Sequence, residues 1–205
     1  YPAHGAGSSC GKNLSTETVS TIGEQRKTNY ALAPMRVEQF VEAVTQGQSV
    51  APLYFLFAAT KNRQAYELFD GAEEINMMSL AEVLQAQSKG AVVIDSRDDM
   101  SFAAGHLRGS INVGLSGRFA EYVGEVMEPG TPIVLIGEPG TDAEAKMRLA
   151  RIGFDNVLGA LNDPVKTFVE NPDHVERMSR LSVDAFNERI NTIPNLALVD
   201  IRNPG

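Results

Sequence analysis

Short, continuous runs of apolar residues occur in the second half of the chain, and patterns typical of helices separate them. The apolar runs are 91–95 (AVVID), 132–136 (PIVLI) and 156–160 (NVLGA). The helical patterns cover 79–88, 118–126 and 142–152. Continuous apolar strands that alternate with helices predict an α/β domain, with a central parallel sheet covered by helices on both faces.

The first 70 residues predict helices and no strand. They open with the small-residue loop 1–11 (YPAHGAGSSCG), a composition used where backbone must approach another group closely. The predicted helices run from a cap at Asn13 or Ser15 to about Tyr30, from Pro34 to Gly47, and from Pro52 to about Phe69. An all-helical segment of this kind suits the tail of a domain whose body precedes residue 1.

An internal repeat links two stretches of the chain. Residues 78–98 (MSLAEVLQAQSKGAVVIDSRD) are echoed by 181–203 (LSVDAFNERINTIPNLALVDIRN). The repeat aligns Asp95 with Asp200 and Arg97 with Arg202. It predicts tandem α/β domains. The second domain would be cut off after its first strand at 196–201, so we expect the sequence to be an internal fragment of a longer protein.

Charge and cysteine content narrow the class of protein. The net charge of −8 argues against nucleic acid or an anionic membrane surface as the partner. The single cysteine, Cys10, excludes an internal disulfide and favours a reducing, cytoplasmic compartment. The longest apolar run, 51–59, is too short to span a bilayer and predicts a buried helix.

Three polar residues follow the first predicted strand closely enough to be site candidates. Asp95 and Arg97 come where open α/β sheets bind ligands, but the simpler interpretation is an ion pair that holds the following loop. His106, in GHLRGSINV, has the chemistry of a general base, yet a loop anchor is the favoured interpretation.

The loop after the strand 132–136 is the position where such a domain would present a nucleophile. Its residues are Gly137, Glu138, Pro139, Gly140, Thr141 and Asp142. An active loop of this kind would surround a thiol with backbone N–H groups at a helix N-terminus. Here there is no Cys, Ser or Lys, two residues are acidic, and proline removes an N–H. Thr141 and Glu144 match a helix capping box instead, so we expect a degenerate, non-catalytic loop.

On these motifs, residues 76–162 resemble a rhodanese domain. The matching pieces are VVIDSRD, GHLRGSINV and the segment that ends in GFDNVLGAL. Rhodaneses carry a persulfide-forming cysteine at the first loop position, which is Gly137 here. The resemblance therefore implies a rhodanese domain that lacks its nucleophile. Residues 178–205, with VDIRNPG, resemble the opening of a second rhodanese domain whose loop lies beyond the chain.

Residues 1–70 are similar to the end of a metallo-β-lactamase-fold domain of the glyoxalase II and persulfide dioxygenase type. The resemblance rests on YPAHGAGSSCG and the helix that follows. It implies that His4 ligates the second metal of dinuclear relatives or lies beside the iron of mononuclear ones. The main ligand motif, His-x-His-x-Asp-His, would precede residue 1.

Three further residues in this segment have competing interpretations. For Cys10 we favour a structural role, or lining of a substrate pocket, over that of a nucleophile. Arg26 and Lys27 have the charge to meet an anionic thiol such as glutathione, but a solvated helix face is the simpler interpretation.

The order of the three regions implies a persulfide dioxygenase–rhodanese fusion. Such an enzyme would use one Fe(II) to oxidise the persulfide of glutathione or a related thiol. The first alternative is a glyoxalase II-like thioester hydrolase with two zinc ions, fused to rhodanese domains. The second is a non-enzymatic interaction module, and we expect this fragment alone to be inactive. A homo-oligomer is compatible with each of these interpretations.

Overall fold

The computed structural model describes residues 17–47, 52–65 and 74–200. The chain divides into two compact units, one up to residue 50 and the other from residue 51. The predicted linker around 70–74 lies largely outside the described residues.

The described part of the first unit is helical, as expected. It contains α1 (Ile22–Thr28), a 3₁₀ turn (Tyr30–Leu32) and α2 (Val37–Thr45). The expected caps, Asn13 and Ser15, lie outside the described residues, and the expected helix does not run unbroken to Tyr30, because residues 17–21 are not helical. Thr21 caps α1 instead: its backbone is extended and its hydroxyl accepts the N–H of Glu24 at 3.2 Å.

The apolar face of α2 is not buried within this unit. Val37 is 74% exposed, Phe40 41% and Val41 50%. None of the described residues in α1 or α2 is buried. These helices therefore have no core of their own in the described part of the unit.

The second unit is built on a parallel sheet. In chain order its described strands are β1 (Met77–Met78), β2 (Val92–Asp95), β3 (His106–Leu107), β4 (Ile111–Asn112), β5 (Ile133–Ile136), β6 (Val157–Leu161) and β7 (Val175–Glu176). Five of them form a sheet in the order β1-β6-β5-β2-β4, and every neighbouring pair is parallel. β3 and β7 form a separate antiparallel pair that sequence analysis did not predict.

Helices cover both faces of this sheet. Those of the second unit are α3 (Tyr54–Lys61), α4 (Leu80–Ser88), α5 (Asp99–Ala104), α6 (Phe119–Val126), α7 (Asp142–Ala150), α8 (Pro164–Glu170) and α9 (Val183–Thr192). The predicted fold class is confirmed, with α5 and α8 as helices that sequence analysis did not predict.

Strand β5 shows why the apolar runs are continuous. Ile133 and Leu135 point into one core cluster, together with residues of α6 and α7. Val134 and Ile136 point into the cluster on the opposite face, together with residues of α4. All four side chains are fully buried, because a sheet covered on both faces leaves no solvent-exposed side.

Helix α3 packs on this sheet domain although the sequence places it in the helical segment 1–70. Tyr54 is buried in the core cluster that contains Ile133, and Phe57 meets Phe154 edge to face at 6.3 Å. The helix ends at Lys61 rather than near Phe69, since tighter i→i+3 hydrogen bonds close its last turn; residues 66–69 lie outside the described part.

The expectation that 51–59 forms a buried helix is only half right. Leu53, Phe55 and Leu56 are 50–79% exposed. No described helix is both long enough and apolar enough to cross a membrane.

The internal repeat is confirmed for its helix and not for its strand. Ser79 caps α4, and Ser182 caps α9 by accepting the N–H of Ala185 at 3.2 Å. Residues 196–200 form no strand and are exposed. A strand needs a hydrogen-bonded neighbouring strand, and none of the described strands pairs with this segment. Ile201 lies outside the described residues.

Candidate functional site

The carboxyl ends of β2 and β5 lie side by side and bring two predicted loops together. Asp95 is in register with Ile136, so the residues after each strand are neighbours. Ser96 joins the two loops: its N–H donates to the carbonyl of Ile136 at 2.7 Å and its hydroxyl donates to the same oxygen at 3.0 Å. This edge of the sheet is where parallel α/β domains carry their sites.

Asp95 and Arg97 form a buried ion pair at the end of β2. The guanidinium Nη2 lies 2.6 Å from Oδ2 and Nε lies 2.9 Å from Oδ1, with both residues at most 5% exposed. Nη2 also donates to the carbonyl of Gly105 at 2.9 Å. The ring of Phe168 lies 5.1 Å from the guanidinium carbon. These contacts are those of a pair that fixes the following loop.

Asn112 completes this arrangement, and sequence analysis missed it. Its Nδ2 donates to the carbonyl of Asp95 at 2.9 Å and to that of Arg97 at 3.0 Å. The available signal was an amide side chain at the end of a short β pattern, in SINV. The β2 loop is thus held both by the ion pair between its side chains and by the hydrogen bonds that its backbone carbonyls accept from Asn112.

His106 is placed as an anchor by its contacts. It lies on β3 and is 5% exposed. Its Nδ1 is 2.8 Å from the carbonyl oxygen of Phe102, and its ring stacks on the Phe102 ring with centroids 3.8 Å apart. These contacts tie β3 to α5.

The β5 loop, residues 137–142, turns through Gly140, whose φ of +83° favours glycine. The backbone N–H of Thr141 donates to the carbonyl of Glu138 at 3.0 Å, and the Thr141 hydroxyl donates to the same oxygen at 2.8 Å. The loop therefore closes on itself.

The expected capping box of Thr141 and Glu144 is wrong. The backbone of Thr141 is already in the α region and its side chain makes no cap hydrogen bond. Its hydroxyl is used on Glu138, and the Glu144 carboxylate lies 3.6 Å from Nη1 of Arg148. Arg148 in turn donates to the carbonyls of Leu115 and Gly117, contacts that sequence analysis did not foresee.

Gly137 has side-chain oxygens where a side chain of its own would begin. An added Cβ would lie 2.7 Å from Oδ1 of Asp142, 2.7 Å from Oγ1 of Thr141 and 3.2 Å from Oγ of Ser96. Contacts below 3.0 Å are essentially never seen for a real Cβ. The loop is packed as a glycine loop.

Asp142 adds negative charge at the mouth of this loop. Burial raises the pKa of its carboxyl, while a hydrogen bond from its own N–H acts in the opposite direction. A carboxylate in this place disfavours a second anion at the same position.

The remaining sequence candidates lie elsewhere or outside the described residues. His4 and Cys10 belong to 1–16, outside the described part. Lys27 is solvent-exposed on α1, with Nζ 3.6 Å from Glu24, and Arg26 lies beside it in the same exposed turn. Among residues 17–47, 52–65 and 74–200, no three His, Cys, Asp or Glu side chains are grouped to hold a metal ion.

Comparison with known proteins agrees with this geometry. Residues 79–163 match the family model described as the rhodanese-like domain. These residues form a rhodanese-like domain. No curated protein matches the chain in sequence.

Solved structures resemble the chain beyond its rhodanese-like domain. A metallo-β-lactamase from Staphylococcus aureus superposes with a TM-score of 0.59 at 25% identity and covers 77% of this chain. The match spans 42% of the S. aureus protein, so this chain corresponds to less than half of it.

Two shorter structures align with less than half of the chain. One is the Rhodanese_3-like domain of an Anabaena protein, with 17% identity and a TM-score of 0.41 over 45% of this chain and 98% of that one. The other is a rhodanese-related protein from Thermoplasma volcanium, with 19% identity and a TM-score of 0.40 over 49% of this chain and 97% of that one.

Proposed function

We propose that the rhodanese-like domain is a non-catalytic part of a larger persulfide-oxidising fusion protein, which joins a metallo-β-lactamase-fold domain to rhodanese domains. The observation that carries the non-catalytic assignment is Gly137. The residue that directly follows β5 has no side chain, and the oxygens of Thr141 and Asp142 lie where one would start.

The chemistry of sulfur transfer supports this assignment. A sulfurtransferase of this fold needs a thiolate that attacks a sulfane sulfur and carries it as a persulfide. Glycine cannot do this, and the chain's single cysteine, Cys10, belongs to the segment 1–11, which precedes the domain in sequence. The intact Asp95–Arg97 pair and Asn112 preserve the fold of the β2 loop, which suits a spacer, a docking surface or an oligomer contact.

The likeness to the S. aureus metallo-β-lactamase supports the fusion. Its match covers most of this chain and leaves more than half of that protein outside the alignment. We assign the metal to a domain that would precede residue 1, with His4 at or beside it. Among the described residues, no three His, Cys, Asp or Glu side chains are grouped to hold a metal ion.

Oxygen uptake by the intact protein tests the persulfide dioxygenase assignment. Loaded with iron and supplied with glutathione persulfide, it should consume O₂ and release sulfite. Absence of uptake would overturn the assignment. Two zinc ions per chain and hydrolysis of a glutathione thioester would support the glyoxalase II alternative.

A sulfurtransferase assay of the 205-residue chain tests the non-catalytic assignment separately. With thiosulfate and cyanide, thiocyanate should form no faster than in a protein-free control. A Cys10→Ser variant should behave identically. Turnover above background that survives this substitution would contradict the assignment, since no thiol would remain.

A further inference from the structure

The β5 loop differs from a catalytic loop by more than the loss of a nucleophile. We propose that the Asp142 carboxylate acts as an internal anion beside position 137, since its Oδ1 lies 2.7 Å from the point where a Cβ at 137 would be. Asp142, as well as the missing cysteine, then prevents the loop from taking up sulfane sulfur. This inference rests on the proposed non-catalytic function of the domain.

The backbone conformation does not require glycine at position 137. Gly137 is not among the residues with φ in the left-handed region, whereas Gly140 is, at +83°. A side chain at 137 is opposed by neighbouring side chains and not by the backbone conformation. Both atoms within 2.7 Å of its Cβ position are oxygens at the ends of side chains, from Asp142 and Thr141.

Three positions of the loop have no N–H left for an outside anion. Pro139 has no N–H. The N–H of Thr141 donates to the carbonyl of Glu138, and the N–H of Asp142 interacts with its own carboxylate. An external anion could use the N–H groups of Thr141 and Asp142 only by displacing these internal acceptors.

The charge of Asp142 also acts on the N-terminus of α7. Asp142 is the first residue of the nine-residue helix α7, where the helix dipole places partial positive charge. Its carboxylate offsets that charge at the point where it would otherwise favour a thiolate or an oxyanion. Glu138 is also acidic but exposed, so solvent screens it more effectively.

The proposal predicts that restoring the cysteine alone does not restore chemistry. In the reaction, the thiolate introduced by Gly137→Cys would attack the sulfane sulfur of thiosulfate. A new S–S bond forms to the protein, the S–S bond of thiosulfate breaks, and sulfite leaves with the electron pair. A neighbouring carboxylate disfavours the thiolate and repels the dianionic substrate.

The test uses the whole 205-residue chain with Cys10→Ser, so that position 137 carries the only thiol. Three variants are compared: Gly137→Cys alone, with Asp142→Asn, and with Glu138→Gln. Each double variant removes one negative charge from the same loop. The thiol pKa comes from the pH dependence of iodoacetamide alkylation, and persulfide formation from a mass gain of one sulfur atom after thiosulfate treatment.

We expect Gly137→Cys alone to have a thiol pKa above the free value of about 8.5 and to form no persulfide. Adding Asp142→Asn should lower this pKa by about one unit, a factor of about ten in thiolate at neutral pH, and allow persulfide formation. Glu138→Gln should have less than half of that effect. Equal reactivity of the single variant and the Asp142→Asn variant would overturn the proposal, as would an equal effect of Glu138→Gln.

A second measurement needs no cysteine at 137. In Asp142→Asn with Gly137 retained, titration with sulfate should shift the amide NMR signals of residues 137, 138 and 140–143, and the native chain should show no such shift. Identical titrations of both proteins would also overturn the proposal. A reactive Gly137→Cys single variant would refute the role of Asp142 yet leave the non-catalytic function of the native domain intact, so the two failures are distinguishable.

Discussion

The loops after β2 and β5 leave the same edge of the sheet, yet they differ in how a carboxylate is accommodated. After β2, the carboxylate of Asp95 is paired with Arg97 and buried. After β5, the half-buried carboxylate of Asp142 and the hydroxyl of Thr141 surround a glycine. The buried pair that supports the fold therefore lies on the β2 loop, apart from position 137 on the β5 loop.

Removing the ion pair of the β2 loop should have the largest effect on the free energy of unfolding. Arg97→Ala leaves the fully buried Asp95 carboxylate without its partner, which we expect to cost about 3–5 kcal/mol in free energy of unfolding. Urea denaturation measures this cost. The matched control is Arg108→Ala, which removes an exposed pair with Glu176 at 3.0 Å and should cost at most about 1 kcal/mol. Equal costs would show that the buried pair does not hold the domain.

Removing the amide that supports the same loop should have a smaller effect. Asn112→Ala leaves the Arg97 carbonyl without this donor, whereas the Asp95 carbonyl keeps the N–H of Val113 at 3.0 Å. We expect a loss of about 1–2 kcal/mol by the same denaturation measurement. Asn156→Ala, which removes an exposed bond to the Gly130 carbonyl, is the control and should cost less. A larger loss from the control would contradict the role of Asn112.

Adding a methyl group to the β5 loop tests whether its packing depends on glycine. Gly137→Ala should cost about 1 kcal/mol, because the obstructing atoms are movable side-chain ends. In an Asp142→Ala background the cost should fall by about 0.5 kcal/mol, a coupling measurable in a double-mutant cycle. Glu138→Ala is the control background and should leave the cost unchanged. Full additivity with Asp142→Ala would mean that Asp142 does not obstruct position 137.

Neutralising Asp142 should have the smallest effect, and its pH dependence has a definite sign. The raised pKa means that the folded state binds this proton more tightly than the unfolded state. This group therefore stabilises less as pH rises from its ordinary value of 3.8 through the raised value. Asp142→Asn should gain less than about 1 kcal/mol at pH 7, with no gain below the ordinary value. Melting curves of both proteins across this range measure the difference.

In the same experiment, Glu138→Gln and Glu144→Gln serve as controls for the other carboxylates near the loop. Neither should gain stability at pH 7 to the same extent. A gain from Asp142→Asn that stays constant with pH would exclude a charge effect and indicate a change in packing.

Much of the fold could be predicted because the apolar runs are continuous. The runs within 91–95, 132–136 and 156–160 carry consecutive apolar residues, a pattern typical of strands that are covered on both faces. The elements that sequence analysis missed are short: α5 has six residues, and β3 and β7 have two each. Such elements depend on contacts, as in the antiparallel pairing of His106 with Glu176, and leave little periodic signal.

The candidate site was predictable in its residue types and not in its packing. The absence of a nucleophile at Gly137 is a property of the sequence. That the Thr141 hydroxyl binds Glu138, and does not cap α7, depends on a loop geometry with Gly140 at positive φ. Asn112 was missed because its partners lie 15 and 17 residues earlier in the chain.

The sequence by itself determined the alternation of strands and helices, the repeat of a capped helix at 79 and 182, and the presence of glycine at 137. Each of these is set by local pattern or residue identity. Only the tertiary structure decided that the two loops share one edge, that the ion pair expected of Asp95 and Arg97 is buried, and that Oδ1 of Asp142 lies beside Gly137. Distance and burial between residues 40 or more positions apart, as for Ser96 and Ile136, follow from sheet register and not from local sequence.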